Sequence, residues 1–444
     1  MLLKESSILI IGAGTWGCGI TLELARNGYT NVKVLDAEDV PSSIAAGNDF
    51  NKIMDEGPPS TGDTDSVYAW NRLHNICTDS WLNDTLYKPF YHRNGYVMAA
   101  SSDTAYASLQ EEIAGREEDY VPVNTAEEFR KTMPEGVLTG DFVGWKGYQK
   151  PSKAGWVLAK GAILAAQQES ERLGAKFVTG NEGKVVELLF SNVSNAAGQP
   201  HLEGVKTADG TIHTADITIL SSGANADLMF DLKSQLRPTA WTLAHIKMTA
   251  EEAALYKDLP VLFNIEKGFF MEPSAETHEL KICDEHPGYI NPVYSANHTV
   301  IGSRPFARQQ IPIESEARVR ALLNETMPHL ANRPFSFARI CWDADTPDRM
   351  PLFDWYGPQN STGNRSNFLL AIGGSGHSFK IMPAIGQLTR EYLEGSVDNR
   401  TRNAFKWRPE TAVNRNWWDT QGRFGADNKV MDFADVAGWT TIGE

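Results

Sequence analysis

Hydrophobic positions are most sharply patterned at the start of the chain. Ile8, Leu9, Ile10 and Ile11 form an unbroken apolar run bounded by Gly12, which reads as a strand buried on both faces. Ile20, Leu22, Leu24 and Ala25 then line a helix that stops at Asn27-Gly28. Val32-Lys33-Val34-Leu35 gives a second strand, ended by Asp36. Residues 37–66 lose helical periodicity and carry Pro41, Gly47, Gly57, Pro58, Pro59 and Gly62, so a long loop is expected. Trp, Tyr and Leu return at helical spacing over 67–92. An amphipathic helix is expected over 158–173, ended by Gly174, with a strand at Ala175-Lys176-Phe177-Val178. Asp209-Gly210 between two alternating segments signals a hairpin. Ile217-Thr218-Ile219-Leu220 and Phe368-Leu369-Leu370-Ala371-Ile372 are two further buried strands, the second followed by Gly373-Gly374-Ser375-Gly376 and a helix from about Ile381. Between about 236 and 334 the pattern changes to strands and irregular segments, as in a second lobe. The chain therefore reads as an α/β protein. A Rossmann-like cofactor domain in three pieces (1–90, 150–236, 335–444) encloses a substrate domain in two (91–149, 237–334).

The first turn, Gly12-Ala13-Gly14-Thr15-Trp16-Gly17, is a G-x-G-x-x-G lying between a strand and a helix. Gly12 suits a tight turn, Gly14 the close approach of a pyrophosphate, and Gly17 the packing of helix on strand. The helix N-terminus adds free N–H groups and partial positive charge for phosphates. Asp36 can accept hydrogen bonds from ribose hydroxyls and disfavours a 2′-phosphate, which leaves NAD and FAD as candidates. A motif that starts almost at residue 1 favours FAD. The second cluster repeats the logic, with Gly374 and Gly376 baring N–H groups and Lys380 adding an ammonium at the mouth of the turn; an ordinary strand–helix turn is the plainer alternative. Cys341 sits between Ile340 and Trp342, where a lone thiol is most often a small buried hydrophobe. Strand alternation puts Glu279, Lys281 and Cys283 on one face, where a lysine ordinarily points to solvent.

Composition narrows the classes. A length of 444 residues implies two domains or interleaved lobes. The net charge of −15 argues against nucleic acid or an anionic membrane as partner. No apolar stretch is long enough to span a bilayer, residues 1–6 hold no signal peptide, and Thr441-Ile442-Gly443-Glu444 is not a peroxisomal tripeptide. The four cysteines show neither paired nor metal-binding spacing, so no metal and a cytoplasmic, reducing location are expected.

The whole chain resembles fungal fructosyl amino acid oxidases (amadoriases) within the sarcosine-oxidase-like flavoproteins. The runs that carry the likeness include Ala45-Ala46-Gly47-Asn48-Asp49, Asn51-Lys52-Ile53-Met54, Glu279-Leu280-Lys281-Ile282-Cys283-Asp284-Glu285-His286, Cys341-Trp342-Asp343-Ala344-Asp345-Thr346-Pro347-Asp348, Gly373-Gly374-Ser375-Gly376-His377 and Arg423-Phe424-Gly425. The tail departs, since many fungal members end in a peroxisomal tripeptide. The resemblance implies a sarcosine-oxidase-like two-domain fold and FAD, bonded through its 8α-methyl group to the sulfur of Cys341. It implies oxygen activation by Lys281, a substrate cavity lined by Lys52 and Lys380, and an amino-acid end held by Glu285 and Arg423. The substrates would be a fructosyl amino acid or glycated dipeptide and O2, the protein a monomer, and the choice between α- and ε-glycated substrates a matter of cavity shape near residues 57–66. An oxidase of unmodified secondary amines such as sarcosine is the neighbouring alternative; a flavin-binding protein without turnover is the one from another class.

Overall fold

The structure, a computed structural model, describes residues 2–57, 60–191, 200–357 and 366–442. Among them a six-stranded sheet runs in the order Leu352–Trp355, Phe368–Ile372, Ile217–Leu220, Ile8–Ile11, Val32–Leu35, Lys176–Val178. Its neighbours are parallel except the edge pair formed by Leu352–Trp355 and Phe368–Ile372. On one face Ile8, Ile10, Val34, Ile219 and Leu369 pack against Leu22, Leu24, Ile163, Leu388 and other residues of the covering helices. These helices are Thr15–Arg26, Asp65–Asn83, Ala159–Arg172 and Met382–Glu394. On the other face Leu9, Ile11, Leu35, Leu220 and Leu370 meet Val185, Leu202 and Val205 of a small antiparallel sheet. Burial on both sides explains why these strands read as unbroken apolar runs rather than as alternation. From the central Ile8–Ile11 the chain passes to Val32–Leu35 on one side, and Ile217–Leu220 lies on the other. The strand order thus reverses beside Gly12, where open α/β sheets place their ligands.

The second sheet is built around the long antiparallel pair Arg237–Lys247 and Phe335–Asp345. Glu279–Asp284 pairs with the first of these, and the sheet continues through Gly268–Phe270, Val261–Asn264, Tyr96–Ala100, Lys146–Lys150 and Val121–Val123. Register sets Cys341 opposite Trp241 and Lys281 opposite His245. Phe335–Asp345 also returns the chain to the first sheet: Trp342 bridges Ala45, and Ala344 packs with Ile11 and Leu370.

Most expected elements are present, including the hairpin formed by Leu202–Thr207 and Ile212–His213. The clearest difference lies in the expected loop over 37–66. Its middle forms a strand, Lys52–Asp55, antiparallel to Ala154–Val157. Four residues pairing with a segment so distant in sequence leave no local periodic signal. Pro58 and Pro59 of that loop, and Gly443 and Glu444 of the tail, lie outside the described residues. No helix among the described residues is long and apolar enough to cross a membrane.

Candidate active site

The first glycine turn is shaped by close backbone contacts. Gly12 has φ of +105°, and a Cβ there would lie 2.5 Å from the Ser221 carbonyl oxygen. A Cβ on Gly17 would come within 1.9 Å of the Gly12 carbonyl oxygen, whereas one on Gly14 would meet nothing within 4 Å. Gly14 caps the helix without any side-chain hydrogen bond, so the first N–H groups of Thr15–Arg26 face open space. Asp36 sits beside the turn, its Oδ2 accepting from the Ala13 N–H at 2.7 Å and its Oδ1 from the Glu38 N–H at 3.1 Å. Burial pushes its carboxyl above the usual range, and those two N–H groups partly offset the push.

A cavity of about 590 Å³ extends from this turn to the second glycine cluster. Thr15, Trp16 and Asp36 line one part, and Gly373, Gly374 and Gly376 another. The second turn is stapled to the long strand, because the Ser375 N–H donates to the Ala344 carbonyl at 3.1 Å. The buried hydroxyls of Ser221 and Ser222 line the wall and have no hydrogen-bond partner among the described residues. Bare helix N–H groups, unspent hydroxyls, an acid at the second strand and a glycine facing empty space together fit a dinucleotide.

That geometry separates two substitutions. Gly17→Ala is expected to abolish soluble folded protein, because the new methyl collides with backbone that cannot yield. Gly14→Ala is expected to fold normally, with a melting temperature of the apoprotein close to wild type, yet to bind FAD at least tenfold more weakly in a fluorescence titration. Equal FAD affinity of Gly14→Ala and wild type would show that no phosphate approaches this turn.

At one end of the cavity several charges converge on one acid. The buried Asp49 carboxylate lies 2.7 Å from Arg339, 2.5 Å from Lys52 and 3.3 Å from Lys281. Lys281 is 1% exposed rather than turned to solvent, and its Nζ also donates to the Asn51 carbonyl at 2.7 Å. Burial raises the Asp49 carboxyl, and the cations, Lys281 foremost, overcome this and hold it well below the ordinary range. Burial disfavours the Lys52 ammonium, but Asp49 outweighs it and its pKa is raised. Cys341 is buried here: desolvation pushes its thiol up, while Lys52 and Arg339 favour the thiolate.

Beyond the second turn lies a further cluster. Arg423 grips buried Asp345 with both arms, Nη2 to Oδ1 at 2.8 Å and Nη1 to Oδ2 at 3.0 Å. Its guanidinium lies 4.6 Å from the Trp241 ring centroid. Arg237 also reaches Asp345, at 3.3 Å, and holds the C-terminal segment through the carbonyls of Trp417 and Asp419. Burial raises Asp345 and the two arginines, Arg423 first, pull it well below the usual value. Glu285 is close enough for Arg423 to act on it, yet burial dominates and pushes its carboxyl up to about 8. Lys380 stands apart. Its carbonyl accepts from the Trp81 indole at 2.7 Å, and its charge bears on His74, Cys77, Glu112 and His377.

The structure thus joins Lys281, Lys52 and Cys341 in one group and Glu285 and Arg423 in another, with Lys380 on the His377 side. Sequence reasoning did not single out Asp49, Arg339, Asp343 or Asp345. Alternation along Phe335–Asp345 was the usable signal for three of them, since it places Arg339, Asp343 and Asp345 on the same side of the strand as Cys341.

The chain matches the family model described as FAD dependent oxidoreductase over residues 7–392. It is similar to the solved structure of a deglycating fructosamine oxidase (Amadoriase II) from Aspergillus fumigatus, with 50% identity and a TM-score of 0.93, covering 100% of this chain and 99% of that one. A modified fructosyl peptide oxidase from Aspergillus nidulans is similar at 30% identity and a TM-score of 0.83, over 99% of this chain and 100% of the other. An L-saccharopine oxidase of Schizosaccharomyces pombe is 27% identical over 428 residues, 93% of this chain and 95% of the relative.

Proposed function

The chain belongs to the FAD-dependent oxidoreductases and, within them, to the amadoriases, and on that premise we propose that it oxidises the C–N bond of fructosyl amino acids. The products would be an imine, hydrolysed to glucosone and free amino acid, and hydrogen peroxide from O2. The observation that carries this reading is the Asp49-centred group of Lys281, Lys52 and Arg339, placed with Cys341 beside a dinucleotide-shaped cavity.

FAD, held between the two glycine turns, would supply the two-electron acceptor for this oxidation and the electrons for O2. Gly14 and the helix N-terminus would hold its pyrophosphate and Asp36 its ribose, and Cys341 Sγ would be the point of covalent attachment. Lys281, fixed by Asp49 and the Asn51 carbonyl, presents a cation where charge develops on oxygen, without reorganisation during the reaction. Lys52 and Lys380 border the substrate, and Glu285 with Arg423 orients its amino-acid end.

Anaerobic mixing with fructosyl-valine decides among the readings. Bleaching of the yellow chromophore is expected; bleaching by sarcosine alone would instead indicate an oxidase of unmodified secondary amines, and no bleaching a flavin carrier without turnover. Covalency has its own measurement. Acid precipitation should leave the chromophore on the wild-type protein, and Cys341→Ala should release it to the supernatant. Colour lost from the wild type on denaturation would remove the assignment.

A further inference from the structure

Resting on that reading and going one step past it, we propose that Asp343 takes the proton from the substrate's secondary amine before the C–H bond breaks. Cys341, Asp343 and Asp345 share one side of Phe335–Asp345, yet their side chains have different fates. Asp345 is fully engaged by Arg423 and Arg237. Asp343 is half-buried and lines the cavity, and its carboxylate has no hydrogen-bond or ion-pair partner among the described residues. A Cβ built on Gly376 would lie 3.5 Å from Asp343 Oδ2 and 3.5 Å from Arg423 Nη2, so carboxylate and guanidinium flank the same bare turn. An unspent carboxylate there faces the space between the cofactor floor and the proposed amino-acid end of the substrate.

The groups facing Asp343 come from several elements. Lys52, on Lys52–Asp55, and Arg423, on the C-terminal segment, favour its charge; Asp345 on its own strand and Asp49 in the preceding loop oppose it. Arg349, just past the strand, feels Asp343 as well. Burial is the largest effect, and the carboxyl is raised to about 6. It is therefore ionised at neutral pH and closer in basicity to an amine than an ordinary carboxylate is.

The proton balance is simple. A glycated amine arrives as an ammonium ion, whose nitrogen has no lone pair to give. One N–H proton passes to Asp343 Oδ, leaving the free amine. Its lone pair then forms the C=N bond as a hydride leaves C1 for the two-electron acceptor. Water adds to the iminium carbon, the amino acid departs, and Asp343 returns its proton to solvent.

The test is anaerobic flavin bleaching by fructosyl-valine followed across pH in wild type, Asp343→Asn and Asp343→Ala. At about pH 7 the Asn variant should be slower by about 10²-fold or more, and should approach wild type at alkaline pH, where the amine is already free. Added formate should partly restore the Ala variant. Retained flavin and an unchanged melting temperature would show that both variants are folded. A loss uniform across pH and unaffected by formate, or no loss, overturns the proposal. Failure of wild-type enzyme to bleach with any fructosyl amine would instead overturn the functional reading beneath it.

Discussion

Lys281→Met is expected to slow reoxidation of the reduced enzyme by about 10²- to 10³-fold, comparable to removing a preorganised electrostatic stabiliser elsewhere. Methionine keeps most of the side-chain length and lacks the charge. Asp49 would retain Lys52 at 2.5 Å and Arg339 at 2.7 Å, so the buried acid stays paired and the fold is preserved. On the proposed role, the first electron passed to O2 would create an anion, and the fixed, buried ammonium of Lys281 would lower that barrier. Anaerobic bleaching by fructosyl-valine should be nearly unchanged, since no negative charge appears on oxygen in that half of the cycle. Stopped-flow measurement of both halves separates the outcomes. If reduction suffers as much as reoxidation, Lys281 serves the substrate or the packing instead.

Arg423→Ala is expected to be the most damaging single change to the substrate end. Asp345 is fully buried and would lose its two-armed partner, keeping Arg237, at 3.3 Å, and the Thr239 hydroxyl. Stripping one partner from a buried pair costs about 3–5 kcal/mol, so thermal unfolding should move down by several degrees. Loss of an Arg–carboxylate contact should also raise KM for fructosyl-valine by about ten- to a hundredfold, with kcat less affected. A fructosyl amine lacking the carboxylate should lose much less. Equal losses on both substrates, together with lowered stability, would reduce Arg423 to an anchor for Asp345.

The six-stranded sheet and its first glycine turn were largely legible because their signals are local. An apolar run, a glycine spacing and a helical repeat can each be read within twenty residues, and the structure places Ile8–Ile11, Thr15–Arg26 and Val32–Leu35 where those signals fall. Lys281 shows the limit of such reading. Alternation gave the face it lies on, but its burial depends on Asp49 and Asn51, which a loop far away in sequence delivers. Lys52 likewise sits on a strand that exists only because Ala154–Val157 pairs with it. The fork of Arg423 around Asp345 joins positions far apart along the chain, and no periodicity encodes such a pairing. Resemblance named these residues; physical reading of the sequence alone did not.

The two glycine turns stand far apart along the polypeptide, and in the six-stranded sheet Ile217–Leu220 lies between their strands. A ribosome must therefore synthesise the chain past Phe368–Ile372 before the cradle has a floor, however early its N-terminal half emerges. Such pairing of sequence-distant strands is slow to form, and until it forms the growing protein would expose apolar surface meant for the sheet and would lack the proposed flavin site. A product cut short before residue 368 would lack the strand and turn that floor the proposed flavin site, so yellow colour in a preparation would mark molecules synthesised past that point.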